Sequence, residues 1–511
     1  MGGAISGVGG SKMGNSALPL LSRRSFLSAS AVSASTLAVY SGFMPLAHAD
    51  ADTDAASLQA KMQGDVLIPS SQDYDSARRT FNFNPKMDRR PAFIARCKTE
   101  DDVLHSLEFG RTRGLEIAIR SGGHDVLSDS TIDGGIVIDL AGLDAIEPDP
   151  AANTVRVGAG VRSGKLTTAL QATNNAVALG CSPQVGVSGL TLGGGIGWLL
   201  GTAGAACDNL VSARIITADG RLLTASAEQE PDLFWAIRGG GGNFGIATSL
   251  TLRTRTLGNV IGGVIAYPGE RLSDFLDFFR DTMSKAPDDL VVEVLASSPS
   301  RPVIFVTFCF TGDANRADAV LAPWRQFGPP LADGIGVKAY TEFATPTPEI
   351  GKLFQGPPLD PTFRNKRPDI YWMGASLDTL SDGAIRTLVD QTKGAPAGWD
   401  FSLGHYMHGA ICNVAPDATP FVRAKGAMTY HFDTYWFDEK QATTYMGWVD
   451  AGITAMKPRS RSGTYVNYLG ADDPAQVQLA YGPNYPRLSR IKRQYDPDNV
   501  FHRNRNIKPA P

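Results

Sequence analysis

The chain has 511 residues, 43% of them hydrophobic and 19% charged, with a formal net charge of −3. That length exceeds one ordinary core and predicts two domains, while the near-neutral charge excludes an overall electrostatic reason to bind nucleic acid or an anionic membrane. Five cysteines (Cys97, Cys181, Cys207, Cys309, Cys412) form no CxxC pair and no histidine-containing metal spacing, which argues against zinc or any other metal centre.

Ser22-Arg23-Arg24-Ser25-Phe26-Leu27 reads as a twin-arginine export motif, and a weakly apolar Ala- and Ser-rich stretch follows it from Leu27 to Leu46. Ala47-His48-Ala49 then offers a small-x-small cleavage site, so residues 1–49 are expected to be a signal peptide and the mature protein to be periplasmic or secreted. The stretch is long enough to span a bilayer, but Ser28, Ser30, Ser33, Ser35 and Ser41 make it a poor permanent anchor. No stable membrane partner beyond export is expected.

Thr99 followed by Glu100, Asp101 and Asp102 predicts an N-capped amphipathic helix, and Arg162 to Asn174 predicts another. Between them Leu115 to Ile119 and Gly135 to Leu140 read as buried strands. These strands flank Arg120-Ser121-Gly122-Gly123-His124, a loop whose two glycines let backbone approach a ligand and whose amides can form an anion-binding nest. Arg120 suits phosphate, and His124 places a nucleophilic imidazole at the loop's end. Read alone, the loop is equally a tight turn with a satisfied histidine.

Leu179 to Leu199 holds seven glycines in twenty-one residues, too many for an ordinary helix or strand, and reads as a loop wrapping a flat, bulky ligand. Gly240 to Gly245 is a literal GxGxxG, but Ile246 to Arg255 alternates like a strand where a dinucleotide fingerprint requires a helix, so a nicotinamide site is not supported. Beyond Thr256 glycine thins and aromatic residues and prolines increase. Val303 to Phe310, Asp369 to Met373 and Ala427 to Trp436 read as strands; Ser273 to Ser284, Asn315 to Gln326 and Gln441 to Met456 read as helices. The expected fold is α+β, with an antiparallel sheet covered by helices on one face. Tyr430, Phe432 and Trp436 would share one face of their strand, with His431 and Tyr435 on the other.

The stretches Pro91-Ala-Phe-Ile-Ala-Arg96, Arg120 to His124, Asp133 to Leu140, Val155 to Gly160, Gly186 to Trp198, Arg238 to Gly245 and Tyr465 to Pro509 follow one another as in FAD-linked oxidases of the berberine bridge enzyme-like family, which the chain resembles. That family belongs to the vanillyl-alcohol oxidase superfamily. The resemblance implies a PCMH-type FAD-binding domain at residues 50–258, a substrate-binding domain at 259–464, and a C-terminal segment, 465–511, returning to the FAD domain. It implies a covalent bond from His124 to the 8α carbon of FAD. It further implies flavin contacts from Arg120, Ser121, Gly122, Gly123, Ser182, Val185, Gly186, Gly189, Leu190, Gly193, Gly194, Gly195, Gly197, Gly242, Asn243, Gly245, Ile246 and Asn504. Some members carry a second bond from a cysteine directly before the proline of the glycine-rich loop. Here Ser182 holds that position and Cys181 lies one residue earlier, so a single link is expected, with a Cys181 link as the alternative.

The family's base is a tyrosine of an Asn-Tyr pair, here Tyr468 with Tyr465 as helper, or a glutamate whose position aligns with Asn413; His405 and His408 are further candidates, more often structural. Asn cannot act as a base, which favours Tyr468 and a hydroxyl-bearing substrate. A Tyr base requires a nearby positive charge or hydrogen bond to favour the phenolate. Val185 aligns with the residue over the flavin where dioxygen reacts, and it is small. Arg505 stands where the family usually has Gln. The implied function is an FAD oxidase passing a hydride from an alcohol or amine carbon of a sugar, secondary metabolite or cyclic amine to the flavin and reducing dioxygen to peroxide. The alternatives are a dehydrogenase with another electron acceptor and a flavin-retaining protein without catalysis. Small-molecule substrate and dioxygen are the partners implied; oligomeric state is left open.

Overall fold

Short apolar runs with no polar alternation mark strands covered on both faces, and Phe93–Arg96 and Ile136–Asp139 are such runs: Phe93, Ile94, Ala95, Ile136, Val137 and Ile138 are fully buried. In the computed structural model, which describes residues 48–297, 303–344, 368–396, 399–461, 463–470 and 473–511, these strands sit in a four-stranded sheet. Its order is Asp65–Leu67, Phe93–Arg96, Ile136–Asp139, Ile117–Arg120, and the last three strands are parallel. The expected signal peptide lies, apart from its last two residues, outside the described residues.

The helix Glu100–Thr112 forms as expected. Thr99 Oγ1 accepts the Asp102 amide at 3.1 Å, and Asp102 Oδ2 accepts the Thr99 amide at 3.2 Å, closing a capping box. The second expected helix is shorter, Ser163–Leu170, and ends in a tight turn at Gln171–Thr173. A five-stranded antiparallel sheet follows, ordered Ile146–Asp149, Thr154–Gly158, Ile246–Arg253, Leu210–Ile216, Leu222–Ser226. The strand after the GxGxxG run is its centre, which is why that run cannot open a helix.

The large sheet lies wholly within 259–436 and is antiparallel. Its path runs Ala332–Asp333, Asn259–Pro268, Val303–Phe310, Leu290–Ser297, Trp399–Gly404, Met428–Trp436, Asp369–Leu377, with Gly336–Ala339 also on Asn259–Pro268. One face packs on the helices Leu272–Met283, Ala317–Gln326, Asp382–Thr392 and Ala442–Met456, through Phe275, Phe279, Trp324, Leu388 and Val449 against Val292, Val294, Phe401, Leu403, Tyr430, Phe432 and Trp436. Each fully buried side chain of this size stabilises the fold by roughly 1.5–3 kcal/mol. The alternation expected in Met428–Trp436 holds, with His431, Asp433 and Tyr435 on the face away from those helices. The C-terminal helices Pro474–Tyr481 and Tyr485–Tyr495 pack back on the glycine-rich half, where Val477, Leu488 and Ile491 join Val157, Leu233 and Trp235.

Candidate active site

Two glycine-containing segments interlock at the edge of the parallel strands. A Cβ on Gly122 would lie 2.3 Å from the Gly186 nitrogen, and one on Gly186 would lie 2.5 Å from the Gly122 nitrogen and from Ser121 Oγ, so each glycine exists to admit the other backbone. Gly123 supplies the left-handed turn, φ +64°, that brings His124 round. Ser121 Oγ and Ser188 Oγ both donate to the Ala159 carbonyl, at 2.7 and 2.9 Å, locking the two segments to one anchor. The His124 ring stacks on Phe81 with centroids 3.7 Å apart and planes 14° from parallel. Gly186→Ala is therefore expected to force the segments apart and yield protein with less than about a tenth of the wild-type flavin, since the clash is with backbone and the cost is in the 1–3 kcal/mol range of an overpacked site; visible absorbance of the purified variant is the measurement.

A cavity of about 540 Å³ opens beside this junction. From the glycine-rich half and the tail it is lined by Ser121, Gly122, Gly123, His124, Ser182, Val185, Gly186, Gly189, Leu190, Gly242, Asn243, Gly245 and Asn504, together with Cys181. A Cβ on Gly189 would meet nothing within 4 Å, so this face is cleared of side chain where a flat group would lie. Buried Asn504 Oδ1 and Arg503 Nε have no hydrogen-bond partner among the described residues. A cradle of glycines with unused polar atoms fits FAD.

Other residues expected at the flavin do not line the cavity. Arg120 does not line the cavity: its guanidinium pairs with Asp139 at 2.7 Å, an interaction between two nearly buried charges. Gly193, Gly194, Gly195 and Gly197 also fall outside the cavity wall. Their missing side chains make room for Asn467, Phe421, Ala206 and the Leu179 carbonyl respectively. The segment is also not all loop, because Val187–Leu192 is a short helix despite Gly189. Ile246 is buried in the five-stranded sheet, and its neighbour Ala247 lines the cavity instead.

The cavity's other wall is the open face of the large sheet, through Glu293, Trp372, His431 and Asp433, joined by His405 and Tyr468. Strand pairing explains the grouping: Ser402 and Gly374 flank His431, and Trp372 lies opposite Asp433. Gly404 leaves space for Glu293, whose Cγ would be 3.0 Å from a Cβ there, and Gly374 leaves space for the Tyr468 ring at 3.1 Å. Tyr468 meets Trp372 edge-on, centroids 5.3 Å apart, and lies 6.2 Å from His431 and 6.3 Å from His405.

Burial pushes the Tyr468 hydroxyl well above its ordinary pKa, and Glu293, Tyr465, Cys181 and Asp433 push it further. Burial and these neighbours keep Tyr468 a phenol at neutral pH. The Tyr465 hydroxyl accepts the Gly195 amide at 2.9 Å and Asn467 Nδ2 at 2.7 Å, a bracing role beside the cavity. Burial raises the Glu293 carboxyl; His431 and a 3.5 Å hydrogen bond from Ser402 Oγ pull partly back, and Asp433 adds to the rise. Asn413 is exposed beyond the turn Gly409–Cys412 and does not line the cavity, and neither does His408.

His405 occupies left-handed backbone, φ +54°, rare for any residue but glycine. Its Nδ1 is 2.9 Å from Thr429 Oγ1 and its Nε2 is 3.4 Å from Cys181 Sγ. Burial, then His431, lowers its pKa to about 4. The folded state therefore resists a proton that the unfolded chain accepts near 6.5, and stability present above that pH is lost as pH falls toward 4, by about 3 kcal/mol in all. Urea denaturation at pH 7.5 and 4.5 is expected to show this loss in wild type, and a shallower slope in His405→Asn, which tolerates the same backbone. The five cysteines are all free.

Glu293 and Asp433 carried no motif. The one available signal was Glu293 itself, a carboxylate in the otherwise apolar run Leu290-Val-Val-Glu-Val-Leu295, where charge is rarely tolerated without a task.

Residues 91–226 match the model of the FAD binding domain and 464–508 that described as berberine and berberine like. The uncharacterized FAD-linked oxidoreductase YgaK of Bacillus subtilis (strain 168) is 30% identical over 88% of this chain and 98% of its own. The (R)-6-hydroxynicotine oxidase of Paenarthrobacter nicotinovorans is 28% identical over 88% of this chain and 97% of its own. The crystal structure of 6-hydroxy-D-nicotine oxidase from Arthrobacter nicotinovorans superposes with a TM-score of 0.78 at 26% identity, covering 88% of this chain and 98% of that one. With its cradle, its sheet wall and a relative matched almost end to end, this chain belongs to the berberine bridge enzyme-like family of FAD-linked oxidoreductases.

Proposed function

We propose that the protein is an exported oxidase holding FAD covalently through His124, and that it takes a hydride from the amine- or hydroxyl-bearing carbon of a small molecule and passes the electrons to dioxygen. The observation that carries the reading is the joining, in one cavity, of the His124 cradle to a wall of Tyr468, His431, Glu293 and Asp433. When bound, FAD supplies the hydride acceptor. Ser121 to His124, Val185, Gly186, Gly189 and Gly241 to Gly245 would hold it. Trp372 and Tyr468 shape the space left for substrate, and the Tyr468 hydroxyl orients the heteroatom by a hydrogen bond. Proton acceptance falls to the carboxyl side of the wall, because Tyr468 is already protonated. Val185 keeps the cradle side open for a molecule as small as dioxygen. The Cys181 thiol faces His405, and burial keeps it protonated, which supports a single link to flavin.

The test is to isolate the exported protein, precipitate it with acid and map the flavin by peptide mass. Yellow colour is expected in the pellet, on the His124 peptide alone, in a chain lacking residues 1–49, with His124→Ala releasing all colour to the supernatant. Oxygen uptake with peroxide formation on adding a substrate that bleaches the flavin identifies dioxygen as the acceptor. A colourless pellet from wild type overturns the covalent link, and bleached protein that stays reduced in air makes the enzyme a dehydrogenase.

A further inference from the structure

Charge is distributed unevenly round the cavity. Its arginines, Arg503 and Arg505, come from the tail, and both lie against Asp129, at 3.5 and 2.6 Å. On the sheet wall the charged lining residues are Glu293 and Asp433, and no Lys or Arg among the described residues lines that side. The two carboxyls share one imidazole, His431, as the nearest cation on this wall among the described residues. Among the described residues Glu293 accepts one long hydrogen bond, 3.5 Å from Ser402 Oγ, and Asp433 Oδ1 has no hydrogen-bond partner, His431 Nδ1 standing 3.8 Å away. Under-paired carboxyls in a low-dielectric wall cost stability. Such a cost is offset when a ligand supplies the missing charge, and Trp372 beside them offers a ring face to the same cation. An anionic substrate would meet repulsion, and a neutral hydroxyl would leave a single imidazole, His431, to balance two carboxyls.

We propose that the substrate is an organic amine, received as its ammonium cation by Glu293 and Asp433 beside Trp372. This rests on the FAD-linked reading above and names its substrate class. The Glu293 carboxylate takes one N–H proton, which leaves a lone pair on nitrogen and a neutral carboxylic acid on the protein. The adjacent C–H then gives its hydride, with both electrons, to FAD, and the C–N bond becomes an iminium that water hydrolyses to a carbonyl compound and the departing amine. A carboxyl whose proton affinity is raised by burial is suited to that transfer. Glu293 thus supplies the carboxyl that position 413 lacks, from a strand about 120 residues earlier in the chain.

The test is calorimetric binding to the holoenzyme of N-methylbenzylamine and N-methylcyclohexylamine, each beside its oxygen isostere (benzyl methyl ether, cyclohexyl methyl ether), with phenylacetate as the anion. The amines are expected to bind about tenfold or more tightly than the ethers, and phenylacetate weakest. Glu293→Gln should erase that preference while ether affinity stays within about twofold, and Asp433→Asn should reduce it about threefold. Ethers or phenylacetate binding as well as the amines, amines that do not bind, or an unchanged preference in a folded, yellow Glu293→Gln protein each overturn the proposal. The wild-type comparison decides even if that variant fails to fold, and Asp433→Asn supplies an independent substitution. A colourless protein would instead overturn the FAD-linked reading itself, so the two failures are distinguishable.

Discussion

Tyr468→Phe is expected to slow substrate bleaching of the flavin by about 10²-fold or more at saturating substrate, within the range of a lost acid–base or orienting hydroxyl. The ring will stay in place, because Trp372 meets it edge-on and Gly374 leaves room for it, and neither contact depends on the hydroxyl. Flavin content and spectrum should therefore be unchanged, and stability should move by less than about 1 kcal/mol, the size of one modest hydrogen bond. The pH profile separates the hydroxyl's two chemical roles. A phenolate base would give wild type a rate that climbs as the tyrosine ionises. Burial and the acidic neighbours Glu293 and Asp433 instead hold the phenol well above its ordinary range, so wild type should show no limb above pH 8 that the variant lacks. Stopped-flow bleaching between pH 6 and 10 checks this, and a Tyr468-dependent alkaline limb would restore the phenolate.

The periodicity of the chain carried the fold. In Met428–Trp436 the two-residue repeat alone separates Tyr430, Phe432 and Trp436, under the helices, from His431 and Asp433, over the cavity. The His124 loop and the Gly186 segment were marked by their glycines, which the sequence reads as room for a ligand and of which Gly122 and Gly186 also make room for each other's backbone. At Gly193 to Gly197 the same signal has a second source within the protein. A glycine needed where Asn467 or Phe421 packs against backbone looks, in sequence, like one needed where a ligand does. Arg120 is similar: a guanidinium in a polar loop suggests an anion, and the anion it meets within the protein is the carboxylate of Asp139 on the neighbouring strand. Glu293 was invisible because its meaning is wholly tertiary. Only the pairing of Leu290–Ser297 with Trp399–Gly404, and the gap left by Gly404, turns one charged residue in an apolar strand into part of a site.

Lys492→Met is expected to destabilise the protein by about 3–5 kcal/mol, the cost of leaving a buried charge without its partner. Lys492 and Asp496 are both fully buried, 2.6 Å apart one helical turn from each other. Burial lowers the Lys492 pKa more than Asp496 raises it, so the ammonium depends on its ligands to stay charged. Those ligands are the structural point: Nζ donates to the carbonyls of Asn243 at 2.8 Å and Phe501 at 2.9 Å, while Asp496 accepts the amides of Val500 and Phe501. One side chain therefore ties the tail to the Gly241–Asn243 turn that lines the cavity, and the Asn243 side chain returns the tie by accepting the Ile507 amide at 2.9 Å. Losing the lysine should loosen both the tail and the cradle, so flavin retention should fall together with the denaturation midpoint. The double variant Lys492→Met/Asp496→Asn removes both charges while the amide oxygen at 496 still accepts from the Val500 and Phe501 amides, and it should recover a large part of the folding stability, since no buried charge is left unpaired. It should not recover flavin retention to the same extent, because the bond to the Asn243 carbonyl is still missing. If the double variant regains both together, the ion pair serves only the tail's own stability and the tie to the cradle carries no function.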